Sequence, residues 1–267
     1  MSKVKNTFLS LNDLAKVTRD NCSAKIIGIT GSVGKTTLKN LTSFCLKDYG
    51  KVYHSPHSYN NKFGVPLSIS NLKSNTKYGI FEIGMDKKGE IDNLSKIVRP
   101  DIGIITNIGK AHFKNFSSLK NIAMAKSEII QHITDQGTII LDKDEKFFKY
   151  FSNISKKRQI NIISFSSKKT ADIQLLKIII KNKLKIKVKN EIFYFFTKII
   201  INNFIKNILA CISLLFVLNL KLRKMYKKIE NFKIPSGRGD INTGKIANKK
   251  FKFMDESYNA NPLSIKS

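Results

Sequence analysis

From residue 24 onward, short apolar runs alternate with amphipathic stretches of helical period. This is the pattern of a mostly parallel sheet covered by helices. It predicts strands over 25–30, 51–54, 78–83, 102–106, 138–141 and 161–165, separated by helices over 35–48, 64–72, 90–98, 119–133 and 145–151. Arg99-Pro100 closes one helix before the next strand, because proline bars the helical conformation from the residue ahead of it. After Ser166 the texture changes. Leu184, Ile186 and Val188 alternate with Lys185, Lys187 and Lys189, and residues 192–196 form an Ile-Phe-Tyr-Phe-Phe run, so a small antiparallel β subregion is expected. A helix over 204–220 follows. Its apolar stretch, 208–218, falls short of the roughly 20 residues that span a bilayer, and it reads as a buried helix. Residues 235–239 read as a turn-rich linker, and 251–255 as the first strand of a further unit. The fold class is therefore α/β: a phosphate-loop, mostly parallel sheet flanked by helices, with a small antiparallel β subregion.

With 267 residues, 42% of them hydrophobic, the chain can bury a sizeable core, which excludes a disordered protein. Charge complicates that picture: 48 Lys+Arg against 19 Asp+Glu give a net charge of +29. Such an excess ordinarily points to nucleic acid or an anionic surface. Here the lysines are spread along the chain beside Ile and Asn, with few arginines, as an AT-rich genome would produce. A basic nucleic-acid-binding protein is accordingly the last of the readings. The three cysteines, Cys22, Cys45 and Cys211, are far apart and lack metal-site spacing, so they read as reduced thiols. Residues 1–16 lack the apolar core of a secretory signal, and a cytoplasmic protein without a transmembrane segment is expected.

Candidate chemistry starts at Gly28-Ile29-Thr30-Gly31-Ser32-Val33-Gly34-Lys35-Thr36-Thr37, between an expected strand and an expected helix. Glycines let backbone N–H groups wrap phosphates, the helix start adds its positive end, Lys35 neutralises charge, and Thr36 can hold Mg²⁺. The strict spacing would put glycine at position 29, where this chain has Ile29. Glu82 ends an otherwise apolar strand, and an acid there needs a partner or a metal unless the strand is an exposed edge. His112 closes Thr106-Asn107-Ile108-Gly109-Lys110-Ala111-His112 after another apolar strand. It could reach the same metal region or be purely structural. Strand carboxyl ends are where open α/β sheets bind ligands.

Six ordered motifs then become familiar: 28–37, Asn60-Asn61-Lys62-Phe63-Gly64-Val65-Pro66-Leu67, Glu82-Ile83-Gly84, 106–112, Ala125-Lys126-Ser127-Glu128-Ile129, and Asp255-Glu256-Ser257-Tyr258-Asn259-Ala260-Asn261-Pro262. Together they resemble the Mur ligases, above all the branch that joins D-alanyl-D-alanine to UDP-N-acetylmuramoyl-tripeptide. The resemblance implies three domains: one for the UDP-sugar, a central ATPase and a closing Rossmann-like one. On it, 1–23 matches the tail of the first domain, 24–234 the central one, and 235–267 the linker and opening of the third. It implies ATP and Mg²⁺ as cofactors, with Gly31, Ser32, Val33, Gly34, Lys35, Thr36, Thr37, Asn207 and Arg238 on the nucleotide. Thr36, Glu82 and His112 would serve the metal, Lys126 would be the lysine that some relatives carbamylate, and Lys35, Lys126 and Arg238 would act in catalysis. Asn60, Asn61, Tyr258 and Asn259 would fall to the peptide substrates. The family's histidine near the adenine is replaced by Asn203. The implied reaction is carboxylate activation through an acyl phosphate by a monomer without a nucleic-acid partner. Open beside it are an ATP-binding portion without turnover and another Mur-type ligase, a tripeptide synthetase or folylpolyglutamate synthase.

Overall fold

The computed structural model describes residues 4–109, 115–180, 182–246 and 249–258. Its first stretch runs α1 (Thr7–Asp20), β1 (Lys25–Thr30), α2 (Lys35–Leu46), β2 (Val52–His54), α3 (Gly64–Ser70), β3 (Tyr78–Glu82), α4 (Glu90–Val98) and β4 (Ile102–Ile105). It continues with α5 (Leu119–Ser127), β5 (Thr138–Asp142), α6 (Phe148–Lys157), β6 (Asn161–Ser166), β7 (Ile173–Ile179), β8 (Lys183–Val188) and β9 (Glu191–Phe196). Then come α7 (Asn202–Val217), α8 (Tyr226–Asn231), β10 (Asp240–Ile246) and β11 (Lys249–Asp255).

One sheet of nine strands, in the order β2-β3-β1-β4-β5-β6-β7-β8-β9, organises the molecule. It is parallel from β2 to β7 and antiparallel from β7 to β9. Successive strand residues point to opposite faces. Ile27, Ile29, Ile104 and Ile140 therefore join the core beneath α2, α7 and α8, whereas Ile26, Phe81, Ile105 and Ile139 join the core beneath α3 to α6. Helices on both faces explain why the parallel strands read as continuous apolar runs. The chain leaves β1 to one side for β2 and β3, then crosses to β4, so a crevice opens at the carboxyl ends of β1, β3 and β4.

The expected parallel strands and the helices between them are present, with shifted ends. The helix expected over 119–133 is α5 followed by a tighter 3-10 stretch, Glu128–His132, and the one over 145–151 is α6, which runs three residues later and on to Lys157. The apolar stretch at 208–218 is the buried core of α7, and no described helix is long and apolar enough to cross a membrane. Residues 251–255 are a strand, but the second of a hairpin: β11 pairs antiparallel with β10, from Asp240 opposite Asp255 to Ile246 opposite Lys249. Helix α1 was not expected. Its start is fixed by Asn6, whose Oδ1 accepts from the Leu9 N–H at 3.1 Å. Arg19 near its end is 9% exposed and donates to the Val98 and Arg99 carbonyls, which ties α1 to the end of α4.

Candidate active site

Residues 31–34 join β1 to α2, and their backbone shape depends on glycine. Gly31 has φ +142, and a Cβ there would lie 1.9 Å from Thr106 Oγ1. Gly34, with φ +85, immediately precedes α2, and its Cβ would crowd Asn207 at 3.0 Å. The loop is held by the residues just after β4. Thr106 Oγ1 donates to the Val33 carbonyl at 2.7 Å, Asn107 Oδ1 accepts from the Val33 N–H at 2.9 Å, and Ser32 Oγ accepts from the Gly109 N–H at 2.9 Å. The Thr106-Asn107 cluster is thus a brace for the loop between β1 and α2. Lys35 Nζ donates to the Gly31 carbonyl at 2.9 Å, and burial pulls its pKa below the ordinary value despite the Glu82 carboxylate.

Glu82 occupies no exposed edge: β3 lies between β2 and β1, and the side chain is 1% exposed. Its Oε2 accepts from Thr36 Oγ1 at 2.7 Å and its Oε1 from Asn60 Nδ2 at 2.8 Å. Thr36 and Glu82 therefore offer adjacent hard oxygen donors beside the phosphate loop, the set that suits Mg²⁺ rather than a thiophilic metal. The described residues contain no group of three or more His, Cys, Asp or Glu able to hold a metal, and His112 lies outside the described residues, as does Asn259.

Lys126, on α5, is 2% exposed and donates to the same Gly31 carbonyl at 2.9 Å. Burial drives its pKa far down, and the neighbouring Lys35 adds to the effect. Burial of this kind disfavours the charged form of the amine. Arg238 donates to Ser58 Oγ at 2.7 Å and stacks 4.1 Å from the centroid of Tyr258, whose hydroxyl lies 3.3 Å from the same Ser58 oxygen. Asn207 Nδ2 lies 3.4 Å from the Gly34 carbonyl. Asn61 spends its side-chain oxygen on the start of α3, accepting from the Phe63 and Gly64 N–H groups. Residues 32–37, Ser58, Asn60, Asn61, Glu82, Asn207, Arg238 and Tyr258 border a cleft of about 910 Å³, whereas Gly31 and Lys126 do not line it.

Residues 29–215 match the model of the Mur ligase middle domain. The chain belongs to the Mur ligase family. This Mur ligase chain is 33% identical to the UDP-N-acetylmuramoyl-tripeptide–D-alanyl-D-alanine ligase of Buchnera aphidicola subsp. Baizongia pistaciae, over 98% of itself and 56% of that relative. It is 32% identical to the Rickettsia prowazekii enzyme of the same name, over 99% of itself and 59% of the relative. The crystal structure of MurF from Acinetobacter baumannii superposes with a TM-score of 0.89 at 29% identity, covering 98% of this chain and 57% of that one. MurF ligase from Thermotoga maritima, solved in complex with ADP, shares the fold with a TM-score of 0.87 at 24% identity. The chain spans somewhat more than half the length of the curated relatives it matches.

Two residues of this Mur ligase site escaped the sequence reading. Lys39 is 1% exposed, donates to the Ser55 and His57 carbonyls, and lies 3.9 Å from Glu82 Oε2. It sits one helical turn after Lys35, on the same face of α2, and that spacing was the available signal. Ser58 is the junction where Thr36, Arg238 and Tyr258 meet. A serine in a loop of mixed composition carries no signal until the fold collects its partners.

Proposed function

We propose that this chain is the nucleotide-binding and carboxylate-activating portion of a UDP-N-acetylmuramoyl-tripeptide–D-alanyl-D-alanine ligase. The observation that carries the reading is the convergence of Lys35 and Lys126 on the Gly31 carbonyl beside the Thr36–Glu82–Asn60 chain. The domain division at 23/24 and 234/235 is part of this proposal, as are the monomeric state and a cytoplasmic site of action. So are the roles of Asn207 toward the adenine, and of His112, Asn259 and Tyr258 toward metal and peptide.

In the reaction, the terminal carboxylate oxygen of the tripeptide bonds to the γ-phosphorus of ATP, and the bond to the β-γ bridging oxygen breaks, releasing ADP and leaving an acyl phosphate. The amine of D-alanyl-D-alanine then bonds to the acyl carbon, phosphate leaves, and the nitrogen gives up its proton. Negative charge on phosphoryl oxygens is the obstacle in the first step. The loop N–H groups and the Lys35 ammonium would oppose that charge, and Arg238, anchored on Ser58, would add a second cation beside them. Thr36 and Glu82 would hold Mg²⁺, which when bound screens the same oxygens. Lys39, 3.9 Å from Glu82 Oε2, would help hold that carboxylate in place without touching substrate.

Calorimetric titration tests the reading. Wild type should bind ATP·Mg²⁺, and Lys35→Ala should lose most of that affinity; equal binding by both would overturn the assignment. A second reading is ATP binding without turnover. The 267-residue polypeptide assayed with all three substrates separates the two: nucleotide binding with product formation supports the first, and nucleotide binding alone the second.

A further inference from the structure

The antiparallel end of the sheet carries a surface that the ligation reading leaves unused. One face of β7–β9 packs inward through Leu184, Ile186, Val188 and Phe195, under α7 and α8. Along the other face, Lys183, Lys185 and Lys187 lie opposite Phe196, Tyr194 and Ile192 of β9, and Lys177 of β7 lies directly opposite Lys185. Ile192 is 50% exposed, Tyr194 38% and Phe196 37%, and Ile180 at the hairpin tip is 86% exposed. Between Ile173 and Lys198 the sequence has one acid, Glu191, at the end of the meander away from that tip. Like charges paired across strands destabilise a sheet, so Lys177 opposite Lys185 is a local cost that an anionic counter-surface would relieve.

We propose that this face docks on the surface of an anionic lipid bilayer, with the lysines on headgroup phosphates and Ile180, Tyr194 and Phe196 at the level of the headgroup–acyl boundary. Two features select a bilayer over a nucleic-acid strand. The Lys183 ammonium lies 4.5 Å from the Tyr194 centroid and 5.6 Å from that of Phe196, so it occupies the ring faces on which bases would stack. Exposed isoleucines beside the lysines gain from an apolar boundary and nothing from phosphates alone. Lysine stems that lie along apolar surface with their ammonium groups outward, and aromatic rings with a polar tip, are the chemistry of membrane interfaces.

Because the chain is strongly basic throughout, the test must separate this face from bulk charge. The full chain has no tryptophan, so Phe196→Trp places a single reporter at the face. With vesicles of phosphatidylglycerol and phosphatidylcholine, its emission should shift to the blue and be quenched by brominated acyl chains; pure phosphatidylcholine should do neither. Replacing Lys177, Lys183, Lys185 and Lys187 together by Gln should weaken vesicle binding at least a hundredfold, since each lysine near such a surface contributes about fivefold. The same four-charge loss at Lys146, Lys149, Lys156 and Lys157, exposed residues in and beside α6, is the control. A control that weakens binding equally would overturn the proposal. So would a reporter untouched by brominated lipid, or one quenched only by single-stranded oligonucleotide. Self-association through the β9 edge without vesicle binding would overturn it too.

Discussion

The two halves of the large sheet solve the same burial problem in opposite ways. Strands β2, β3, β1, β4 and β5 are covered by helices on both faces; apart from Lys25 and Thr138, which open β1 and β5, their charged residues and threonines stand at the carboxyl ends, where Thr30, Glu82 and Asp142 remain buried. Strands β7 to β9 are covered on one face, and lysine alternates with aliphatic residues along β8. In the first half a charged residue is tolerable only where specific partners meet it, as Thr36, Asn60 and Lys39 meet Glu82. In the second half charges are cheap, because water solvates them. Chemistry built on fixed dipoles therefore belongs to the parallel half, and surface adhesion to the antiparallel half.

This contrast can be broken by substitution. The largest effect is expected at Glu82→Gln, which leaves Lys39 buried without its carboxylate and should cost on the order of 3 kcal/mol in denaturant unfolding. A loss under 1 kcal/mol would mean that the pair is not a structural constraint. Leu184→Ala, on the covered face of β8, should cost about 2–4 kcal/mol while leaving the ATP dissociation constant unchanged. A shift in nucleotide affinity beyond the stability loss would erase the separation of the halves. Lys126→Met should act through pH. The folded pKa of Lys126 is far below its ordinary 10.5, so folding expels a proton. Stability should then rise with pH between the depressed value and 10.5, by up to about 1.4 kcal/mol per unit. The variant should lose that rise, and parallel unfolding free energies for both proteins across alkaline pH would refute the burial of an amine. Smallest of all, Lys185→Gln should change stability by less than about 0.5 kcal/mol, measured in the same way.

Much of this was legible beforehand. The period of apolar residues placed the parallel strands because a strand buried on both faces is built mostly from aliphatic residues. The glycine and lysine spacing placed the phosphate loop because few residues allow a backbone to curl around an anion. Strand β7 was missed, since Ile173–Ile179 mixes Gln174 and Lys177 into an aliphatic run and its irregular pairing between Leu175 and Lys177 breaks the alternation. Helix α1 was missed because Thr7–Asp20 is polar along much of its length, and its burial rests on Ala15 and Arg19.

The sequence by itself determined the class of fold, the glycine-rich loop between β1 and α2 and the family, since each depends on local spacing that no distant partner alters. Tertiary structure alone decided which polar groups share a site. Glu82 and Thr36 are 46 residues apart and Arg238 and Ser58 are 180 apart, yet each pair is joined by a 2.7 Å hydrogen bond. The physical reason is that a buried charge is stabilised by whatever the fold brings within about 4 Å, and chain distance does not enter that interaction.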